Sequence, residues 1–127
     1  MSVFERIVKE IPNESVLYTP VRHSRFIVKC VDPIKEKVVF FVGAKTKIEV
    51  PKACWNGIPD FLRGRDWVKI GAKHESTDKV LISSLERYLD ECPNKTSASA
   101  SEYVASVLEH LGIVEVKPTR PSAVKLI

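Results

Sequence analysis

The stretch RFIVKCVDPIKEKVVFFV, residues 25–42, decides the fold of this chain. Its first seven residues alternate between the two faces of an extended chain, and this period of two predicts a half-buried strand with Phe26 and Val28 inward. The Asp-Pro pair that follows predicts a turn, because proline fixes φ and lacks the N–H that a central strand needs. The apolar run at 38–42 predicts a second strand, which we expect to be buried on both faces.

The meander continues beyond this stretch. A glycine permits the positive φ of a second turn, and residues 47–50 resume the alternation of a strand. Pro51 suits the start of a helix, so we expect a short helix after it that Gly57 and Pro59 interrupt. Residues 67–70 predict one further strand of the same sheet.

Helices and short strands flank the meander on both sides. Apolar residues at helical spacing predict a helix over residues 2–10, and residues 16–18 predict an edge strand. Two more helices are predicted over 79–91 and 100–111, the second opened by a capping box. Two C-terminal strands around a proline-containing loop then predict a hairpin.

Together these elements predict an α+β fold: a mostly antiparallel, twisted or barrel-like sheet over residues 16–70 with an N-terminal helix, followed by two helices and a C-terminal β-hairpin. With 127 residues, 44% of them hydrophobic, the chain can bury a core. We expect a basic β-rich core over 1–73 and a helix–helix–hairpin region over 74–127 packed on it as one compact unit.

The positive charge is concentrated in the central part of the chain. The formal net charge is +4, whereas residues 22–73 alone hold twelve Lys or Arg against five Asp or Glu. A local excess of cations favours a polyanionic partner, since neutralised phosphates release condensed counterions. The same pattern also occurs on proteins that bind no anion, so the charge alone leaves both interpretations open.

Seven residues of this region form the predicted nucleic-acid surface. They occupy outward positions of the predicted sheet and of a basic loop, and they combine an aromatic ring with cations. The glycine between two arginines would let the backbone approach a phosphate, and guanidinium groups suit bidentate contact. The set is Arg25, Lys29, Lys47, Arg63, Arg65, Trp67 and Lys69.

The aromatic and basic residues of this region also have other interpretations. Trp55 is expected to anchor the core, whereas Trp67 is open to either role. The basic loop at 63–65 is also consistent with a solvated turn in which Asp66 pairs with an arginine. The protein could instead be a protein-interaction module that uses an acidic helix face and the C-terminal hairpin, through strand pairing at an exposed edge.

No pattern in the sequence predicts a catalytic centre, a cofactor or a metal site. His23, His74 and His110 stand in none of the spacings of metal ligands. Asp60 with the Glu-Val-Lys run at 115–117 resembles the acidic pair and lysine of metal-dependent nucleases, in which the carboxylates hold Mg²⁺. The long interval between them and the helical setting of Asp60 argue against that activity. We therefore expect a non-enzymatic protein.

The cysteines and the composition indicate the cellular setting. Cys30, Cys54 and Cys92 are too widely spaced for a zinc knuckle or a secreted disulfide framework, so we expect buried free thiols. The chain has no signal-peptide pattern and no membrane-spanning run, which predicts a cytoplasmic protein without a membrane partner. It contains no glutamine and few asparagines. Because this composition is typical of thermophiles, an intracellular disulfide between two of the cysteines stays an open alternative.

The two predicted helices and the hairpin after them resemble the helix–helix–wing end of a winged-helix domain over about the last fifty residues. The second helix would then face DNA, but its predicted outward residues are unsuited to phosphates and base edges: Glu102, Ser106, Glu109 and His110. A winged-helix-like fragment of this kind would therefore pack against protein instead of DNA. Only three residues of its wing would remain suited to contact with phosphates: Lys117, Arg120 and Lys125. The whole chain is also similar to small uncharacterised proteins of thermophilic archaea, which implies a cytoplasmic setting and no defined activity.

Overall fold

The computed structural model describes residues 1–71, 84–93, 95–96, 99–119 and 121–127. These residues form four helices and seven strands, arranged as one sheet in the order β1-β2-β3-β4 and a second in the order β5-β7-β6. Every pairing is antiparallel, so the predicted α+β class and the C-terminal hairpin are confirmed. In chain order the elements are α1 (Val3–Glu10), β1 (Ser15–Tyr18), β2 (Arg25–Asp32), β3 (Lys37–Val42), β4 (Thr46–Pro51), α2 (Lys52–Leu62), β5 (Val68–Lys69), α3 (Leu85–Asp90), α4 (Ser101–His110), β6 (Val114–Lys117) and β7 (Ala123–Leu126).

The core lies between the inner face of the four-stranded sheet and the helices. Phe26 and Phe40 alternate inward from β2 and β3 and are almost fully buried. Phe40 meets Trp55 of α2 edge to face, with ring centroids 6.1 Å apart, and Phe26 meets Tyr103 of α4 at 5.0 Å. Because the helices pack on this face, the opposite face of the sheet is left for other contacts.

The four-stranded sheet stays open, so the barrel-like alternative is wrong. Its two edge strands do not pair with each other, and other elements contact them instead. Thr96 exchanges two hydrogen bonds with the backbone of Glu49 on β4, at 2.9 and 3.1 Å. On β1, the Tyr18 carbonyl accepts a 2.7 Å hydrogen bond from the Ser106 hydroxyl of α4. These contacts partly protect the edges without closure.

The strand predicted at 67–70 exists as β5, but its assignment to the first sheet is wrong. Val68 lies opposite Val124 of β7, and the Ile70 N–H donates to the Ser122 carbonyl at 2.9 Å. Helix α2 lies between β4 and β5 in the chain, and β5 pairs with the C-terminal hairpin after it. Sequence alternation reports that a segment is a strand and does not report its partner.

The predicted interruption of α2 is also wrong. The helix continues through Gly57 and Pro59, because Trp55, Ile58 and Leu62 form one buried stripe at helical spacing. Pro59 removes one backbone hydrogen bond from the last turns of the helix, and burial of this stripe offsets that loss.

Helix α4 has more buried faces than its sequence predicts. It contacts β1, β6 and α3, so Glu102 and Ser106 are buried, and their predicted outward placement is wrong. The predicted capping box is absent as well: the N-cap is Ala100, and the Ser101 N–H donates to a carboxylate oxygen of Glu86 on α3 at 3.0 Å. The predicted helix 79–91 begins outside the described residues, and α3 is its described part.

Candidate nucleic-acid interface

The outer face of the four-stranded sheet brings exposed rings and cations together. The strand register places Tyr18 of β1 opposite Arg25 of β2. It also aligns one residue from each of the four strands in a row: Val16, Ile27, Phe41 and Lys47. Side chains on one face of neighbouring strands lie about 5 Å apart, so these groups form one surface. We call this surface the open face; it consists of Val16, Tyr18, Arg25, Ile27, Lys29, Phe41 and Lys47.

Two aromatic rings of the open face are accessible. Tyr18 is 56% exposed and Phe41 is 40% exposed. The Lys29 ammonium lies 5.6 Å from the centroid of the Phe41 ring. An exposed ring flanked by a cation can stack against a nucleic-acid base while the cation approaches the phosphate backbone.

Two of the three cations of the open face, Lys29 and Lys47, take part in solvent-exposed ion pairs. Lys29 contacts Glu14 at 2.5 Å, and Lys47 lies 3.5 Å from Glu49. Glu49 also accepts a 3.0 Å hydrogen bond from Lys37, which holds the pKa of this carboxyl below its ordinary value. Exposed pairs of this kind contribute at most about 1 kcal/mol, so phosphates can compete for the ammonium groups.

Lys69 lies on β5 of the second sheet and Trp67 lies just before that strand, so both are apart from the strands of the open face. Trp67 is 38% exposed, and the ammonium groups of Lys117 and Lys125 lie 5.9 and 5.8 Å from the centroid of its rings. Lys125 also pairs with Asp66 at 3.2 Å. We call this second group the tryptophan patch: Trp67, Lys69, Lys117 and Lys125.

The arginines of the basic loop after α2 contact residues that are close to them in sequence. Arg63 pairs with Asp60 one turn back in sequence, and both side chains remain exposed. The Arg65 guanidinium lies 4.7 Å from the centroid of the Phe61 ring, which stacks on Tyr88 at 4.8 Å. The loop therefore lays its second arginine on the Phe61 ring of α2.

The structure divides the seven predicted site residues into three groups. Arg25, Lys29 and Lys47 share the open face, the two loop arginines lie after α2, and the remaining two belong to the tryptophan patch. Sequence reasoning missed Tyr18 and Phe41 as exposed rings. It predicted the run 38–42 to be buried on both faces, which is wrong for Phe41, and the signal that could have found it is the alignment of Phe41 with the outward Lys47.

The cysteines form no disulfide. Cys54 is buried in the first turn of α2, where burial and the neighbouring Cys92 raise the pKa of its thiol to about 12. The raised pKa opposes the activation that a helix N-terminus would otherwise give. The Tyr88 hydroxyl donates to the Cys54 carbonyl at 2.8 Å, and burial raises the pKa of that phenol as well.

The residues considered for a nuclease lie in separate settings. Asp60 on α2 pairs with Arg63, and Glu115 on β6 lies opposite Lys125. Among the described residues, no group of three or more His, Cys, Asp or Glu side chains is arranged to hold a metal ion. No helix in that part of the chain is long and apolar enough to cross a membrane. His74 and Arg120 fall outside the described ranges.

Comparisons of the chain with protein-family models, with curated proteins and with solved structures find no match. The resemblances to a winged-helix end and to proteins of thermophilic archaea therefore stay predictions.

Proposed function

We propose that the protein binds single-stranded nucleic acid on the open face of its four-stranded sheet. The observation that carries this proposal is the exposure of Tyr18 and Phe41 beside three cations, on the face opposite to the helices. Rings of this kind offer stacking platforms for bases, and the cations follow the phosphates. Unpaired bases can reach such platforms, whereas bases stacked inside a duplex cannot.

Stacking and charge make separate contributions that can be measured. A base stacked on an aromatic side chain contributes about 1–3 kcal/mol, so Phe41→Ala should weaken binding roughly 5- to 150-fold. Contacts from Arg25, Lys29 and Lys47 to three phosphates give a slope of about −2 for the logarithm of affinity against the logarithm of salt concentration. Affinity should then fall roughly 16-fold between about 50 and 200 mM salt.

Fluorescence anisotropy with labelled single-stranded RNA, single-stranded DNA and duplex DNA, each about 12 nucleotides long, tests the proposal. We expect the single strands to bind more tightly than the duplex, and we expect Lys47→Gln to reduce the salt slope by about 0.7. The control is a Trp67→Ala/Lys69→Gln variant of the tryptophan patch, which should bind like the wild type. Absence of binding at about 50 mM salt, or a loss of binding only in the control variant, would refute the open face as the site.

A further inference from the structure

A cleft lies between the free edges of the two sheets. Its volume of about 480 Å³ falls within the range of sites that hold small molecules or peptide segments. The lining comes from β1 with the turn after it, from Ser106, Glu109 and His110 of α4, and from Val116 and Pro118 at the end of β6. Neither β1 nor β6 has a second strand partner in the described part of the chain.

The backbone of β1 directs hydrogen-bonding groups away from its own sheet. The Thr19 N–H donates to the Ser24 carbonyl at 3.0 Å, so the alternation of an antiparallel ladder turns the N–H and C=O of Val16 and Tyr18 away from β2. The hydrogen bond from Ser106 to the Tyr18 carbonyl reaches β1 from this side and supports that direction. The N–H and C=O of Val16 and the N–H of Tyr18 are then oriented to pair with an added strand.

The edge of β6 has the same character. The Ile127 N–H donates to the Ile113 carbonyl at 3.1 Å, so the next backbone groups that point away from β7 are those of Val114 and Val116. Val116 itself lines the cleft. An extended chain in the cleft would therefore lie beside β1 and near the end of β6.

The lining favours a cationic side chain on the occupant. Among the residues that the structure describes, the lining contains one carboxylate, Glu109, and no Lys or Arg, whereas the open face is rich in cations. Phosphate would meet repulsion from that carboxylate, and a Lys or Arg side chain would meet attraction. Apolar side chains such as Leu17, Val116 and Pro118 also line the cleft.

We propose that this cleft binds an extended segment of a protein partner, which adds a strand to β1 and places a Lys or Arg side chain beside Glu109. Main-chain hydrogen bonds to Val16 and Tyr18 supply affinity, and the carboxylate selects the side chain. Because Val116 of β6 lines the cleft as well, an occupant beside β1 is bounded on a second side, which favours a single extended strand over the edge of a second folded sheet. A partner segment is therefore the occupant instead of a second copy of this chain.

The probe is a blocked hexapeptide with the sequence Thr-Val-Lys-Val-Thr-Val, titrated into isotope-labelled protein and followed by NMR. We expect saturable shifts of the Val16 and Tyr18 amide signals with a dissociation constant below about 1 mM. The same peptide with N-methyl groups at alternate residues loses the donors of one edge, so it should bind at least about tenfold more weakly. A peptide with Glu in place of Lys should bind roughly two- to fivefold more weakly.

Matched variants separate the backbone from the charge. Val16→Pro removes the N–H at an edge position that tolerates proline and should abolish binding, whereas Val16→Thr should keep it. Glu109→Gln should remove the preference for Lys over Glu in the peptide, and Glu115→Gln should leave that preference unchanged. The Phe41→Ala/Lys47→Gln variant should bind the peptide like the wild type, so failure here is distinct from failure of nucleic-acid binding.

Three results would overturn the proposal. The first is an absence of amide shifts at about 2 mM peptide, about twice the upper limit expected for the dissociation constant. The second is equal binding of the N-methylated and unmodified peptides to the wild-type protein, a comparison that needs no variant to fold. The third is a wild-type dimer that Val16→Pro converts to a monomer, since the edge would then pair with a second copy.

Discussion

Replacing Trp55 with phenylalanine should lower the free energy of unfolding by about 2–4 kcal/mol. Trp55 is fully buried, and its Nε1–H donates to the Val50 carbonyl at 3.1 Å. Phenylalanine keeps part of the packing but removes the donor, and a buried carbonyl without its partner costs about 1–3 kcal/mol. The space left by the smaller ring adds about 1 kcal/mol.

Trp67→Phe is the matched control for this prediction. Trp67 is 38% exposed between two lysine ammonium groups, so the smaller ring should cost at most about 1 kcal/mol through weaker cation–π contact. Urea unfolding should be followed by far-UV circular dichroism, because each variant removes one of the two tryptophans that fluorescence would report. With an m-value of about 2 kcal/mol/M, Trp55→Phe should lower the midpoint by about 1–2 M and Trp67→Phe by less than about 0.5 M. Equal midpoints for the two variants would refute the assignment of Trp55 as the core anchor.

Two further predictions concern a buried thiol and a glycine contact. The pKa of the Cys54 thiol is raised from 9.0 to about 12 in the folded protein. The proton on this thiol therefore stabilises the folded state fully below about pH 9. As pH rises from 9 towards 12 this stabilisation is lost, and the free energy of unfolding falls by up to about 1.4 kcal/mol per pH unit. Wild-type protein should therefore lose more stability than Cys54→Ala between about pH 8 and 10.5, and equal losses in urea unfolding would contradict the assignment. Gly71→Ala should destabilise the protein by about 1–3 kcal/mol more than Gly64→Ala. Both glycines have φ near +75°, so the backbone strain of the two substitutions is similar. A Cβ at Gly71 would lie 2.6 Å from Ser84, whereas a Cβ at Gly64 would meet open space. Similar melting temperatures for the two glycine variants would show that the contact with Ser84 relaxes freely.

Local structure could be predicted from this sequence because local patterns determine it. Alternation identified the strands of the meander, and helical spacing identified α1 and the buried stripe of α4 that includes Val104 and Leu108. Pairing over long distances could not be predicted in the same way. Nothing in the alternation of residues 67–70 distinguishes a partner in β4 from one in β7. Only the burial of its apolar stripe explains why α2 continues through Pro59.

The candidate site was only partly predictable for the same reason. Arg25, Lys29 and Lys47 could be grouped because their outward register follows from neighbouring strands. Trp67 could not be separated from them, since its sheet is assembled from distant segments. The burial of Glu102 could not be predicted either. A polar residue at an outward position of a helix becomes buried when a further element packs on that side of the helix.

The order of strands in the second sheet also constrains the timing of folding. Strand β7 is the last of the seven strands in sequence and the middle one of its sheet. Neighbouring segments pair throughout β1 to β4, so that meander can form as soon as it leaves the ribosome. Val68 and Val114 must wait for Val124 and Leu126 to be synthesised before they gain strand partners. During translation the chain should therefore carry one fully paired sheet and one incomplete sheet until β7 has been made.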